Sequence, residues 1–221
     1  MLAGAADAFS RTAFAGFSAL RLITDEPCRP FDRRRKGFFL GEGAGAVMLE
    51  SLSHALQRKA HILAEVRGSG ITSDAHHFLT PGVEGKAAAM RMALRDAGVK
   101  PRTVSYINAH GNATWTNDRT ETKGIKLVFG EDAPRIPVTS IKALTGHCMA
   151  ASSAFEALAC ILSIQHKTIP PTWNYGQADP VCDLDYVPNA ARQTPVEVAI
   201  NNSFAFGGAN STLVFSRYRE N

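Results

Sequence analysis

The chain has 221 residues, 45% of them hydrophobic and 20% charged, with a formal net charge of +4. This soluble, globular mixture can form one large domain or two modest ones, and it excludes a collagen-like, disordered or disulfide-stapled protein. The four cysteines, at positions 28, 148, 160 and 182, form no CxxC pair and no zinc spacing, so no metal is expected and a reducing, cytoplasmic compartment is.

In chain order, Met1-Leu2-Ala3-Gly4-Ala5-Ala6 reads as the middle of a strand and turn, an odd opening that lacks the basic lead-in of a signal peptide. Arg33-Arg34-Arg35-Lys36 reads either as a solvated loop or as a docking spot for an acidic partner. It is too isolated, and too poor in interleaved aromatics, for nucleic acid. Gly41 to Gly45 permits tight turns or close backbone approach and precedes a buried strand over 46–50. A phosphate-cradling loop is the alternative there, but neither GxGxxG nor a following Lys-Ser/Thr is present.

A short helix over 51–59 and a strand over 62–66 follow. Ala87, Met90, Leu94 and Ala97 mark one helical face over 85–97, stopped by Gly98 with Pro101 beyond. A strand over 104–108 ends at His110-Gly111. Asp118 and Glu121 then open a helix, in capping-box spacing, that closes at Gly130. A short strand over 138–140 precedes the apolar stretch Cys148–Ile164. Interrupted by Glu156, that stretch is too short and small-residued for a membrane span and reads as a helix buried between layers. Pro170-Pro171 starts an extended loop. Strands over 196–200 and 211–216 form a hairpin through the turn Phe206-Gly207-Gly208. Strands alternating with helices give an α/β layered fold.

Three polar clusters fall where strands end, the usual place for sites in such folds. They are Asn108-Ala109-His110-Gly111-Asn112-Ala113-Thr114, Ser140-Ile141-Lys142-Ala143-Leu144-Thr145-Gly146-His147, and Asn201-Asn202-Ser203-Phe204-Ala205-Phe206-Gly207-Gly208-Ala209-Asn210. Taken singly, each is as well read as a structural histidine or a simple turn. In order and spacing, however, they resemble the C-terminal part of the β-ketoacyl-acyl carrier protein synthases, most closely the elongating synthase II type. Cys28-Arg29-Pro30-Phe31-Asp32, the segment Gly37 to Gly45, Pro170-Pro171-Thr172 and Cys182 to Asn189 extend the resemblance over essentially the whole chain.

The resemblance implies a thiolase-like α-β-α-β-α layered fold, with residues 1–55 ending the N-terminal half and 56–221 forming the C-terminal half. It implies a decarboxylative Claisen condensation in fatty-acid or polyketide synthesis. The partners would be acyl carrier protein bearing malonyl and acyl groups on phosphopantetheine, and a second copy in a homodimer. No cofactor, metal, nucleic acid or membrane is implied.

His110 and His147 match the pair that stabilises the enolate, and Lys142 matches the active-site lysine, with Glu121 as its acidic partner and Asp118 in support. Phe206, with Phe204 and Gly207 in the same turn, matches the acyl gate and oxyanion hole. The family's nucleophilic cysteine lies upstream of the matched region, so none is expected here and the chain reads as part of a longer synthase. Cys148, next to His147 at the start of a helix, is the only substitute to weigh, since a helix N-terminus lowers a thiol pKa. Asn112, Trp115, Ala205 and Ala209 depart from the family's usual Thr, Pro, Gly and Thr. Those departures bear on substrate range more than on reaction class. The competing reading is a non-catalytic partner subunit of the chain-length-factor kind.

Overall fold

The computed structural model describes residues 1–220. In chain order the elements are β1 (Leu2–Asp7), α1 (Arg11–Ala19), β2 (Gly43–Met48), α2 (Leu52–Gln57), β3 (Glu65–Ser73), α3 (Val83–Ala97) and β4 (Tyr106–Asn108). They continue with α4 (Trp115–Phe129), β5 (Val138–Thr139), α5 (Lys142–Thr145), α6 (Ala150–His166), β6 (Thr168–Ile169), β7 (Arg192–Gln193), β8 (Val198–Phe204) and β9 (Ala209–Ser216).

The main sheet has five strands in the order β3-β9-β8-β4-β5. β3, β9 and β8 run antiparallel, while β8, β4 and β5 run parallel. Side chains alternate across a pleated sheet, and here both faces are covered. Ile107, Ile200 and Val214 point into a core closed by Met90 and Leu94 of α3 and Ile125 and Phe129 of α4. Their neighbours Tyr106, Ala199 and Phe215 point the other way, onto Cys160, Ile161 and Ile164 of α6. Beyond α6 lies the antiparallel ribbon β1-β2, paired from Leu2↔Met48 to Asp7↔Gly43. The glycines of β2 let it sit close: a Cβ at Gly45 would meet Ala154 Cβ at 3.0 Å, and one at Gly43 would meet the Phe155 ring at 2.6 Å. Ribbon, helix, sheet and outer helices thus form successive β, α, β and α layers, and α6 is the helix between layers.

Several boundaries differ from those expected, for local reasons. β3 begins at Glu65 and runs on to Ser73, because Gly68 and Gly70 belong to the strand. They are glycine because α3 presses on it: Cβ atoms there would fall 2.5 Å from Ala97 N and 2.1 Å from Ala89 O. α3 stops as expected, with Gly98 left-handed at φ 64° and donating to carbonyls of the last turn. α6 starts two residues after Cys148, since Met149 sits at φ 43°, ψ −113°, outside helical space. It is also less enclosed than its composition implies, with Leu162 51% exposed.

α4 opens a turn before Asp118, at Thr114, whose side chain accepts from Asn117 N at 3.3 Å. The capping-box reading of Asp118 and Glu121 is therefore wrong. Their carboxylates point inward, Asp118 to Phe31 N at 2.7 Å and Glu121 to the chain after β4. The basic run is divided. Arg35 is buried on Asp179 at 2.5 Å and stacked 4.3 Å over Trp115, while the exposed Arg34 pairs with the buried Asp32 and Lys36 pairs with Glu26 at the surface. No described helix is long and apolar enough to cross a membrane.

Candidate active site

The site forms where the parallel strands β4 and β5 end beside β8. After β4 the backbone turns at His110-Gly111, and both N–H groups donate to one carboxylate, Glu121, at 2.8 and 2.9 Å. Gly111 must be glycine: its φ is +36°, and a Cβ would meet Ser140 Cβ at 2.6 Å. After β5, Ser140 Oγ donates to Gly111 O at 2.6 Å and ties the two strand ends together. The short α5 then ends at Gly146, φ 72°, and delivers His147.

The two imidazoles lie 5.4 Å apart between ring centroids, at 75° to each other. Phe204 N donates to His110 Nδ1 at 3.3 Å, and Met149 N donates to His147 Nδ1 at 3.2 Å. A ring nitrogen that accepts carries no proton, so in each neutral ring the proton is assigned to Nε2. The strained Met149 backbone is what aims its N–H at His147. Burial, first, and the nearby Lys142 charge, second, hold both histidines well below their usual pKa, so both are neutral at pH 7. The result is two uncharged N–H donors, both buried.

Lys142 is fully buried and donates to His110 O at 2.6 Å. Its ion-pair partner is not Glu121, as expected, but Glu156 of α6, 14 residues on and equally buried. Glu121 is occupied by backbone N–H groups and by Asn202 Nδ2 at 3.4 Å. Ser203 Oγ donates to the other Glu156 oxygen at 3.4 Å, and burial raises the Glu156 pKa against the opposing charge of Lys142. Asp118 stays one layer back, 3.8 Å from Arg35 Nε, with its pKa raised by burial to about 6.

Both histidines and Glu156 line a cavity of about 790 Å³ whose wall is aromatic, with Phe17, Phe38, Phe78, Phe204 and Phe206. Phe206, 38% exposed, lies between Phe17 and Phe78 at centroid distances of 5.9 and 5.8 Å in the cavity lining. Of the three turn residues matched to the gate and oxyanion hole, two have their N–H groups engaged. Phe204 donates to His110, and Gly207, at φ 76°, donates to Phe78 O at 2.8 Å. Ala205 is extended at φ −134°, which alanine adopts freely.

All four cysteines are free and buried. Cys148 precedes α6 instead of capping it, donates to Thr145 O at 3.4 Å, and has its pKa raised by burial, so the lowered value expected at a helix start is not found. Burial pushes Cys28 and Cys182 up to about 12 and raises Cys160 as well.

Sequence reasoning missed Glu156, Met149 and the aromatic wall from Phe17 and Phe38. Glu156 did leave a signal, as the one charge in an otherwise apolar helix. A buried carboxylate in such a place must have a partner.

Residues 63–176 match the family model described as Beta-ketoacyl synthase, C-terminal domain, and residues 1–55 match Beta-ketoacyl synthase, N-terminal domain. The chain is similar to Nodulation protein E of Rhizobium sp. (strain N33), with 48% identity over 97% of this chain and 54% of that protein. It is 45% identical to 3-oxoacyl-[acyl-carrier-protein] synthase 2 of Synechocystis sp., over 98% of this chain and 54% of the relative. The chain therefore spans about half the length of the curated relatives it matches. Among solved structures it superposes with a TM-score of 0.96 on a type II PKS ketosynthase, solved with its acyl-carrier protein and bound to the hexaketide. Identity there is 39%, over 99% of this chain and 56% of that one.

Proposed function

The chain belongs to the beta-ketoacyl synthase family, and on that premise we propose that it carries the decarboxylating side of a condensing site. The observation that carries this reading is the pair of neutral imidazoles that line one largely aromatic cavity, each with Nδ1 occupied by a backbone N–H and Nε2 left to carry the proton. When a malonyl thioester loses carbon dioxide, the electron pair of the broken C–C bond moves toward the thioester carbonyl and makes an enolate. Two fixed donors in a water-poor site hold that oxygen at no reorganisation cost. The enolate carbon then attacks an acyl thioester, and the thiolate that carried the acyl group leaves as the β-ketoacyl product forms.

In this reading Lys142 and Glu156 hold the backbone of His110 in place, and Phe206 gates the acyl entrance. Residues 1–55 and 56–221 would be the end of one thiolase-like half and the whole of the other. The carrier of both substrates would be acyl carrier protein with its phosphopantetheine arm, in fatty-acid or polyketide synthesis in the cytoplasm, and the working form a homodimer. None of the four buried cysteines suits the acyl-holding role, so that thiol would come from the part of the relatives' length that this chain does not match.

The test is carbon dioxide release from malonyl-acyl carrier protein by the chain joined to the N-terminal part of a relative. His110→Ala removes one donor and should lower the rate by about 10²–10³-fold, the usual cost of one oxyanion donor. A rate unchanged by that substitution refutes the assignment. No release with or without it favours the partner-subunit reading, which needs neither histidine.

A further inference from the structure

One buried charge has no place in the reaction just described. Lys86 of α3 is completely buried, yet no carboxylate lies within ion-pair distance of it. Its ammonium donates to Asn117 Oδ1 at 2.7 Å and Thr120 Oγ1 at 2.8 Å, both on α4, and sits 4.7 Å from the centroid of the Phe204 ring. The other buried cations are directly paired, Arg35 with Asp118 and Asp179 and Lys142 with Glu156. Among the described buried carboxylates, Glu121 alone has no direct cation. A buried ion without a counter-charge is costly, and the two unpaired ones are joined by a single side chain. Asn117 accepts from Lys86 through Oδ1 and donates through Nδ2 toward Asp118 at 3.2 Å and Glu121 at 3.3 Å.

Both routes from Lys86 end on His110. Glu121 holds the N–H groups of His110 and Gly111, and Phe204 supplies the N–H that occupies His110 Nδ1. We propose that Lys86 is a positioning residue for His110, acting through Asn117 as counter-cation to Glu121 and through its seat on Phe204 to hold the donor that keeps the proton on Nε2. Its catalytic meaning rests on the reading of the site given above; its effect on His110 does not. The charged and titratable groups facing it are Glu121 and Asp118 on α4, Asp74 just after β3, and His110 after β4. Burial lowers the Lys86 pKa to about 8, with those carboxylates opposing, which places its proton loss within reach of measurement.

The test follows the imidazole 15N signals of His110 in the labelled 221-residue chain, so it requires no turnover. In the unmodified protein, a step in the Nδ1 signal should share the midpoint of the Lys86 ammonium titration. In Lys86→Met, of similar length but uncharged, the single Nε2–H pattern should be lost and His110 should titrate at higher pH. A His110 signal that runs flat through the Lys86 titration, or one unchanged in folded Lys86→Met, overturns the proposal. If that variant does not fold, the unmodified protein decides. Loss of the pattern with carbon dioxide release unaltered would leave the positioning standing and count against the reaction assigned to His110.

Discussion

His110 and His147 suit a donor role because they are poor bases. Their folded pKa values lie well below 6.5, chiefly through burial. Below pH 6.5 the unfolded chain therefore takes up protons at these two positions while the folded protein does not, so stability falls as the pH drops through that point. Each histidine should cost about 1.4 kcal/mol at pH 5.5 relative to pH 7.5, by the usual conversion of pKa units. His147→Asn keeps an acceptor near Met149 N but cannot protonate. Its urea-unfolding free energy should fall less between those two pH values, by about that amount. An identical fall in both proteins would mean that His147 titrates normally. The Lys142–Glu156 pair gives a second residue-scale prediction. Lys142→Met strands a buried carboxylate and should destabilise the fold by about 3–5 kcal/mol, as breaking a buried pair does. Adding Glu156→Leu should recover most of that loss, and an additive double variant would show that the two do not act as a pair. Both histidines and Lys142 were singled out by the order and spacing of three clusters at strand ends, which resemble a known family, and not by any one cluster alone. Glu156 was not assigned, because the contact that explains it joins a strand end to a helix 14 residues on. Lys86 falls four residues before Met90, on the apolar face of α3, where only the fold shows that its head reaches Asn117.

At the scale of elements, the site depends on how closely α3 and α6 approach the sheet. α3 lies directly on Gly68 and Gly70, with backbone atoms of Ala89, Ala93 and Ala97 where side chains would otherwise be. Gly70→Ala would bring a Cβ to 2.1 Å from Ala89 O, and backbone cannot rotate away as a side chain can. Overpacking of this kind costs about 1–3 kcal/mol. The loss should appear in thermal or urea unfolding, while Gly98→Asn, at an open left-handed cap, should cost far less. Equal stability of Gly70→Ala and the parent would show that α3 is not seated as described. Helix α3, the β8–β9 hairpin and the interlayer helix were readable from periodicity and stop signals. The start of α4 was not, because the Asn112–Thr114 turn already provides the cap that Asp118 seemed to offer. β3 was cut short for a related reason. Its glycines look like a break in a strand until the helix that needs them is in place.

Across the whole molecule, one cavity draws on segments far apart in the chain. Phe17 and Phe38 come from the first 55 residues, His110 and His147 from the parallel strand ends, Glu156 from the interlayer helix and Phe206 from the hairpin. On the reading proposed above, this wall serves the malonyl group and its loss of carbon dioxide, and not the acyl group that must be held on a thiol. Condensation also needs a thiolate, and burial raises the pKa of all four thiols here. A thiol whose pKa stands near 12 is thiolate in only about one molecule in 10⁵ at pH 7. Cys148 is the least enclosed of the four by its surroundings, but its sulfur is committed to Thr145 O and packs against Gly41. Purified 221-residue chain, given acyl- and malonyl-acyl carrier protein, should therefore form no β-ketoacyl product. Joined to the N-terminal part of a relative, it should do so, because the part of the relatives' length that this chain does not match then supplies the acyl-holding thiol. Product formation by the chain alone that survives Cys148→Ala would overturn the division of labour, and so would a joined form that decarboxylates but never condenses.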